Sequence, residues 1–147
     1  MKTNTNEKHL EFLQSNISRM NQCSFQMKGW AITLASALVA VFAATLSSEN
    51  LCGNRIYIYA AIISTFLFWF LDSMYLSKER KFIGMYNDVI GISNGAEQQR
   101  RILCDYEMPV EKYKGWKYSV LYAMLSPTEI ILYVAVIVGL VVLAAFA

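Results

Sequence analysis

Three long stretches without a single charged residue constrain the fold of this chain. They cover residues 30–46, 56–71 and 130–147. Each approaches the ~20 helical residues that are needed to cross the hydrocarbon core of a bilayer. Because lipid offers the backbone no hydrogen-bonding partners, stretches of this kind favour helices over strands. The sequence therefore predicts an all-α integral membrane protein with three transmembrane helices.

The overall composition is also typical of a membrane protein. Hydrophobic residues make up 56% of the 147 residues and charged residues only 16%, whereas soluble domains average about 25% charged residues. The first apolar stretch follows a mostly polar segment, and it lacks a small-residue cleavage site followed by a soluble domain. We therefore expect it to be retained as a span rather than removed as a secretory signal.

The distribution of positive charge predicts the orientation. Four of the 13 Lys and Arg residues precede the first stretch, eight lie within residues 78–117, and the short turn at 47–55 carries only Arg55. Cytoplasmic loops are enriched in Lys and Arg, so we expect a cytoplasmic N-terminus, a cytoplasmic region at 78–126 and an external C-terminus. Topology accounts for the net charge of +2, and no nucleic-acid partner is predicted.

The segment before the first span has a helical apolar pattern that continues into the span. No Gly or Pro interrupts residues 6–28, so one helix is expected from about Glu7 to Leu46. A second pattern, at 75–90, places apolar residues on one face and most charges, including Asp88, elsewhere. Both helices are expected to project into the cytoplasm as long extensions and to pack together. The residues of the first stripe are Leu10, Leu13, Ile17, Met20, Ser24, Met27, Ala31, Leu34, Leu38 and Val41.

These features divide the chain into four parts. We predict a cytoplasmic N-terminal helix at 1–29, a transmembrane hairpin at 30–76, a cytoplasmic helical and interfacial region at 77–126, and a third transmembrane helix at 127–147. A turn at 48–54 would close the hairpin, and a short helix is expected at 96–106. Ser126 and Pro127 are typical of a helix start, where Glu129 would reach back to the cap.

Two cytoplasmic patches are candidates for binding a ligand or lipid. Arg and aromatic groups suit a phosphate-bearing or nucleotide-derived molecule, but they equally suit anionic headgroups, which we favour. Aromatic residues and lysines together are also typical of the membrane interface, where residues 113–125 are expected to lie. The candidate residues are Arg100, Arg101, Lys114, Trp116 and Lys117.

Asp72 occupies the most unusual position among the ionisable residues. It follows the second apolar stretch directly, so it is expected near the inner membrane boundary. An acidic group at that depth is costly unless it is hydrated or paired, and Lys28 lies at a similar depth. Glu129 has a similar depth, although its capping role accounts for it. Asp72, Lys28 and Glu129 are thus candidates for an ion pair or a gate, while for Asp72 we favour a structural anchor at the membrane interface.

Small residues recur at four-residue intervals in two spans. Small side chains let helices approach closely in lipid, and they serve packing within one chain as well as contact between copies. Because three short spans bury little surface alone, we expect a homo-oligomer. The candidate contacts are Ser36, Ala40, Ala44, Ala135 and Gly139.

Residue patterns for catalysis or metal binding are missing from the sequence. Cys23, Cys52 and Cys104 fall in different predicted compartments and do not form a disulfide framework. His9 is the only histidine, and neither a Cys-x-x-Cys pair nor a Gly-rich phosphate loop is present. We therefore predict a protein that is not an enzyme and needs no cofactor.

Residues 68–80, with Phe82, Met85 and Tyr86 after them, resemble a segment of small bacterial membrane proteins encoded beside conflict-system enzymes. Residues 24–30 and 126–129 add to the likeness. The nearest group is the SLATT-like transmembrane effectors, although the third span departs from a minimal two-span effector.

The resemblance implies an antiphage effector of the bacterial inner membrane that acts by abortive infection. It would stay silent until a signal-producing enzyme or a nucleotide-derived ligand acts on its cytoplasmic part, and it would then permeabilise the membrane as a pore-forming oligomer. Two other classes stay open. One is a membrane adaptor that anchors a soluble defence enzyme, and the other is a small transporter subunit, for which the spans offer few mid-membrane polar groups.

Overall fold

The computed structural model describes residues 2–46, 54–90 and 113–146. Within these ranges the chain forms helices and no strands, so the all-α prediction is confirmed. The predicted turn at 48–54 falls, except for Asn54, outside the described residues, and so does the predicted helix at 96–106. The elements are α1 (Lys2–Ala44), α2 (Ile56–Ile90), a 3₁₀ turn (Trp116–Tyr118), α3 (Val120–Met124) and α4 (Pro127–Phe146).

Three of these helices, α1, α2 and α4, are long and apolar enough to cross a membrane. The 20 residues of α4 span about 30 Å at 1.5 Å per residue, which is the thickness of the hydrocarbon core. With 43 and 35 residues, α1 and α2 reach about 65 and 53 Å. Both therefore extend well beyond a membrane-sized layer, which confirms the two predicted helical extensions.

Helices α1 and α2 run antiparallel and pack along most of their length. One end of the molecule, which we call the apolar bundle, comprises residues 30–44 of α1, 56–71 of α2 and 130–146 of α4. Its core is formed by Phe42 from α1, Ile58 and Ala61 from α2, and Leu140 from α4. All three helices therefore contribute to the same apolar contact.

The opposite end, the helical extension, comprises residues 2–27 of α1, 73–90 of α2 and the segment 113–126. Its core contains Leu13 of α1, Met85 of α2 and Tyr113. The Tyr113 hydroxyl donates a hydrogen bond of 2.6 Å to Asp88, which is buried. The predicted placement of Asp88 away from the packed face is wrong, because the tyrosine supplies a polar partner there.

The segment 113–126 packs on α2 through close contacts with the backbone. Ser77 donates a hydrogen bond of 2.6 Å to the carbonyl oxygen of Tyr118. A Cβ atom added at Gly84 would lie 2.8 Å from the Tyr118 hydroxyl and 3.1 Å from the Tyr113 ring. Gly84 therefore leaves the space that these two tyrosines fill.

The buried stripe of α1 follows the predicted residues in the first half of the helix and differs from them in the second half. Leu13 and Ser24 are buried as expected, but Leu34 and Val41 are 40% and 44% exposed. Ala35 and Phe42 are buried instead. A strict seven-residue repeat drifts by about 20° per heptad around a straight helix. The buried face therefore moves one residue onward in the second half of α1.

Candidate functional site

The three candidate ionisable residues come from three different helices at one common level. Lys28 lies 16 residues before the end of α1, Asp72 lies 16 residues after the start of α2, and Glu129 lies 17 residues before the end of α4. These separations correspond to about 24–26 Å of helix. The three charges therefore lie where the apolar bundle ends and the helical extension begins.

The Lys28 ammonium joins the three helices. Its Nζ atom lies 2.7 Å from Asp72 Oδ2 and 2.8 Å from Glu129 Oε1. It also donates a hydrogen bond of 2.7 Å to Ser24 Oγ, one turn earlier on α1. An ammonium has three N–H donors, and each finds an oxygen here. Lys28 is thus fully engaged by one hydroxyl and two carboxylates.

Tyr133 of α4 is the fourth side chain of the site and binds Asp72. Its hydroxyl donates a hydrogen bond of 2.9 Å to Asp72 Oδ2, the same oxygen that binds Lys28. The Tyr133 ring stacks on Trp69 of α2, with ring centroids 5.9 Å apart and planes inclined by 12°. We call Lys28, Asp72, Glu129 and Tyr133 the charge cluster.

The sequence suggested Lys28 as a partner for Asp72 but missed Tyr133 and Ser24. Residues four apart lie on the same face of a helix. Tyr133 follows Glu129 by four residues and Ser24 precedes Lys28 by four. This spacing was the available signal, and it becomes informative only once the facing helix is known.

The charge cluster is almost completely enclosed. Asp72 and Glu129 are 0% and 1% exposed, and Tyr133 is 0% exposed. The Lys28 side chain keeps 20% of its surface accessible. Removing charges from water costs several kcal/mol for each ion unless they are paired with good geometry. These distances provide that pairing and tie α1, α2 and α4 to one another.

The predicted capping role of Glu129 is wrong. Helix α4 does begin at Pro127, directly after Ser126. However, the Ser126 N–H donates to the carbonyl oxygen of Ala123 at 3.0 Å, and its hydroxyl accepts a hydrogen bond of 3.1 Å from Arg80. Because the tight turn between α3 and α4 already satisfies this N–H, the Glu129 carboxylate is available to pair with Lys28.

Four of the candidate oligomer-contact residues line an apolar groove between α1 and α4. Ser36 and Ala40 lie on one wall, Ala135 and Gly139 lie on the other, and the groove has a volume of about 550 Å³. A Cβ atom at Gly139 would meet nothing within 4 Å. Ala44 is exposed as well but does not line the groove. The small residues therefore form an open surface.

The candidate ligand and lipid residues are only partly described. Arg100 and Arg101 lie outside the described residues. Lys114, Trp116 and Lys117 are all exposed, and Trp116 is 67% exposed. Nearby, Leu121 and Leu125 are also exposed. The outer face of segment 113–126 thus combines lysines with large apolar groups, while its inner face packs on α2.

The remaining candidate features are few. Cys23 is a half-buried free thiol, whereas Cys52 and Cys104 lie outside the described residues. Within residues 2–46, 54–90 and 113–146, no group of three or more metal-ligating side chains is found.

Scans of protein-family models, curated proteins and solved structures find no match to this chain. The SLATT-like assignment therefore stays a prediction from the sequence.

Proposed function

We propose that this protein is a membrane effector that permeabilises or depolarises the bacterial inner membrane when a cytoplasmic signal or partner acts on it. The observation that carries this proposal is the charge cluster, which joins all three apolar helices where two of them leave the bundle. The effector acts without catalysis. The sequence resemblance to SLATT-like proteins supplies the antiphage context.

The surface of the apolar bundle supports insertion into lipid. Ile63, Leu67 and Ile131 are 62%, 61% and 71% exposed, and soluble monomers rarely expose a large continuous apolar surface. A bilayer would cover these side chains. The excess of Lys and Arg in residues 1–28 and 78–117 then favours a cytoplasmic helical extension and an external C-terminus.

Coupling between the extension and the bundle follows from the continuity of α1 and α2. Each helix passes the level of the charge cluster without interruption. A displacement of the packed core around Leu13 and Met85 would therefore move Lys28 relative to Asp72. In the proposed resting state the cluster holds the three spans together, and a signal at the extension weakens that hold.

A homo-oligomer forms through the groove between α1 and α4 in this proposal. Its walls carry small residues, which allow a helix of a second copy to approach closely. Gly139 faces open space within its own chain, so intramolecular packing does not require a glycine there. Several copies would be needed to surround a conducting path.

Contacts with other molecules would involve the exposed parts of the extension. Lys114, Trp116 and Lys117 would lie at anionic headgroups, and Arg100 and Arg101 remain candidates for a nucleotide-derived ligand. One observation favours the adaptor alternative. Phe12 and Phe25 of α1 are 55% and 76% exposed and offer a surface to a soluble enzyme.

The test compares wild type, Asp72→Asn and Glu11→Gln, each expressed together with the enzyme that is encoded beside it. The system is then triggered while membrane potential and dye entry are followed. We expect loss of potential in wild type and a changed trigger threshold in Asp72→Asn. Glu11 is exposed on the same extension, so Glu11→Gln should behave as wild type. Membrane levels of each variant are measured by immunoblot. Retained potential in triggered wild-type cells that still recruit the partner would favour the adaptor.

A further inference from the structure

A recess opens beside the charge cluster on the side of the helical extension. Its volume is about 290 Å³. Its polar lining includes Ser24 and Lys28 from α1, Glu79 from α2 and Glu129 from α4. Lys28 keeps part of its surface accessible here. Of the two carboxylates of the cluster, that of Glu129 lines the recess, which therefore connects it with the surroundings of the extension.

Two oxygen atoms of the cluster have no hydrogen-bond partner although both are buried. They are Asp72 Oδ1 and Glu129 Oε2. The other oxygen of each carboxylate binds Lys28. Because both carboxylates contact one Nζ atom, each also lies in the field of the other. Buried polar atoms are almost always hydrogen-bonded, so both oxygens are unsatisfied acceptors, and one of them belongs to Glu129, which lines the recess.

The charge balance of the site identifies the kind of ligand. Lys28 contributes one positive charge, and ionised Asp72 and Glu129 contribute two negative charges. The next shell adds Glu79 and Arg80, one charge of each sign, so the balance remains −1. Ser24, which contacts the cluster, and Tyr133, which belongs to it, contribute neutral hydroxyl groups. One added positive charge would make the site neutral, and buried sites strongly favour neutrality.

A proton fits this site better than a metal ion does. An ammonium group already lies within 2.8 Å of both carboxylates, where it repels a second cation centre. A proton instead bonds directly to one oxygen and turns that carboxylate into a hydrogen-bond donor. The protonated oxygen could then donate to an oxygen of the neighbouring carboxylate.

We propose that the charge cluster is a proton-binding site, in which the carboxyl groups of Asp72 and Glu129 together hold one proton that exchanges with water through the recess. A hydronium ion in the recess donates the proton to one carboxylate oxygen, so that one O–H bond of the hydronium ion breaks, one O–H bond of the carboxyl group forms and a water molecule remains. The net charge of the cluster changes from −1 to 0, and no other bond forms or breaks. The site requires no conducting activity, so its test is independent of the proposed function.

The first measurement is infrared spectroscopy of the purified full chain in detergent near neutral pH. A protonated carboxyl group gives a C=O stretching band that is separate from the carboxylate bands and shifts on ¹³C labelling of Asp and Glu. We expect this band in wild type and in the control Glu11→Gln, and its loss or displacement in both Glu129→Gln and Asp72→Asn. Circular dichroism verifies that each variant remains helical.

The second measurement counts protons. Denaturing the wild-type chain in a weakly buffered solution near neutral pH should release about one proton per chain more than denaturing Glu129→Gln. Absence of the wild-type band, or a band unchanged in both cluster variants, would overturn the proposal. Stabilisation by Na⁺ with no carboxyl band and no difference in proton release would also overturn it, because a metal cation would then occupy the site.

Discussion

Replacing Lys28 by Met should destabilise the protein more than any other single removal of a lysine in its described helices. Methionine matches the length of the apolar stem of lysine but lacks the ammonium. Asp72 and Glu129 would then remain buried without their shared cation. Tyr133 would be left as the hydrogen-bond donor to Asp72, and Glu129 Oε1 would lose its ion-pair partner.

The size of the effect follows from the burial of the two carboxylates. Breaking one buried ion pair by removing a partner costs about 3–5 kcal/mol. Lys28 is 20% exposed, and the proton that the two carboxyl groups are proposed to share leaves one carboxylate rather than two without its cation, which favours the lower end of the range. We therefore expect a loss of about 3 kcal/mol, or roughly a hundredfold in the folding equilibrium, since 1.4 kcal/mol corresponds to a factor of ten.

The assay is an SDS titration in mixed detergent micelles, followed by far-ultraviolet circular dichroism. Lys8→Met is the matched control, because Lys8 is an exposed lysine on the same helix. Its substitution should change the unfolding free energy by no more than about 0.5 kcal/mol. Neutralising Asp72 and Glu129 in the Lys28→Met background should restore part of the lost stability. Equal unfolding of Lys28→Met and Lys8→Met would refute the reasoning.

Three further outcomes can be measured on the same protein. Gly84→Ala should lower the free energy of unfolding in the SDS titration by about 1–3 kcal/mol, because its methyl group collides with two tyrosines. Gly29→Ala is the control, since a Cβ atom there meets nothing within 4 Å, and it should be neutral or slightly stabilising. Equal losses in the two variants would contradict this account. Gly139→Leu should weaken crosslinked multimers by blocking close helix approach, and an unchanged ladder would remove the groove from the interface. An impermeant thiol reagent applied to intact cells should label Cys52 and not Cys104, and the reverse would overturn the orientation.

Most of the fold could be predicted because the strongest signals in the sequence are local. Uninterrupted apolar stretches, the absence of Gly and Pro before Lys28, and the Ser126-Pro127 start all act through neighbouring residues. The structure has helices at these places. The error in the α1 stripe, where Ala35 replaces Leu34 at the interface, arose because a seven-residue repeat was extended through a straight helix.

The candidate site was harder to predict because its partners are distant in the sequence. Lys28 and Asp72 lie next to the ends of two apolar stretches, and this similar depth suggested that they form a pair. The role of Glu129 was misjudged because a local capping motif offered an explanation that needed no third helix. Tyr133 looked like one more aromatic residue in an apolar span, and only the position of α4 against α2 makes it a donor to Asp72.

The charge cluster supplies what the apolar contacts of the bundle lack, which is register. Lipid tails are as apolar as Leu or Ile, so the core around Phe42 and Ile58 would tolerate small shifts of one helix along another. Sliding α2 along its axis by the rise of one residue would move Asp72 by about 1.5 Å, which would lengthen its contacts with Lys28 and Tyr133 together. A single buried polar position fixes the register of coiled coils in the same way. Loss of this contact would leave α4 free to change its position beside α1, and with it the shape of the groove that the proposed oligomer uses.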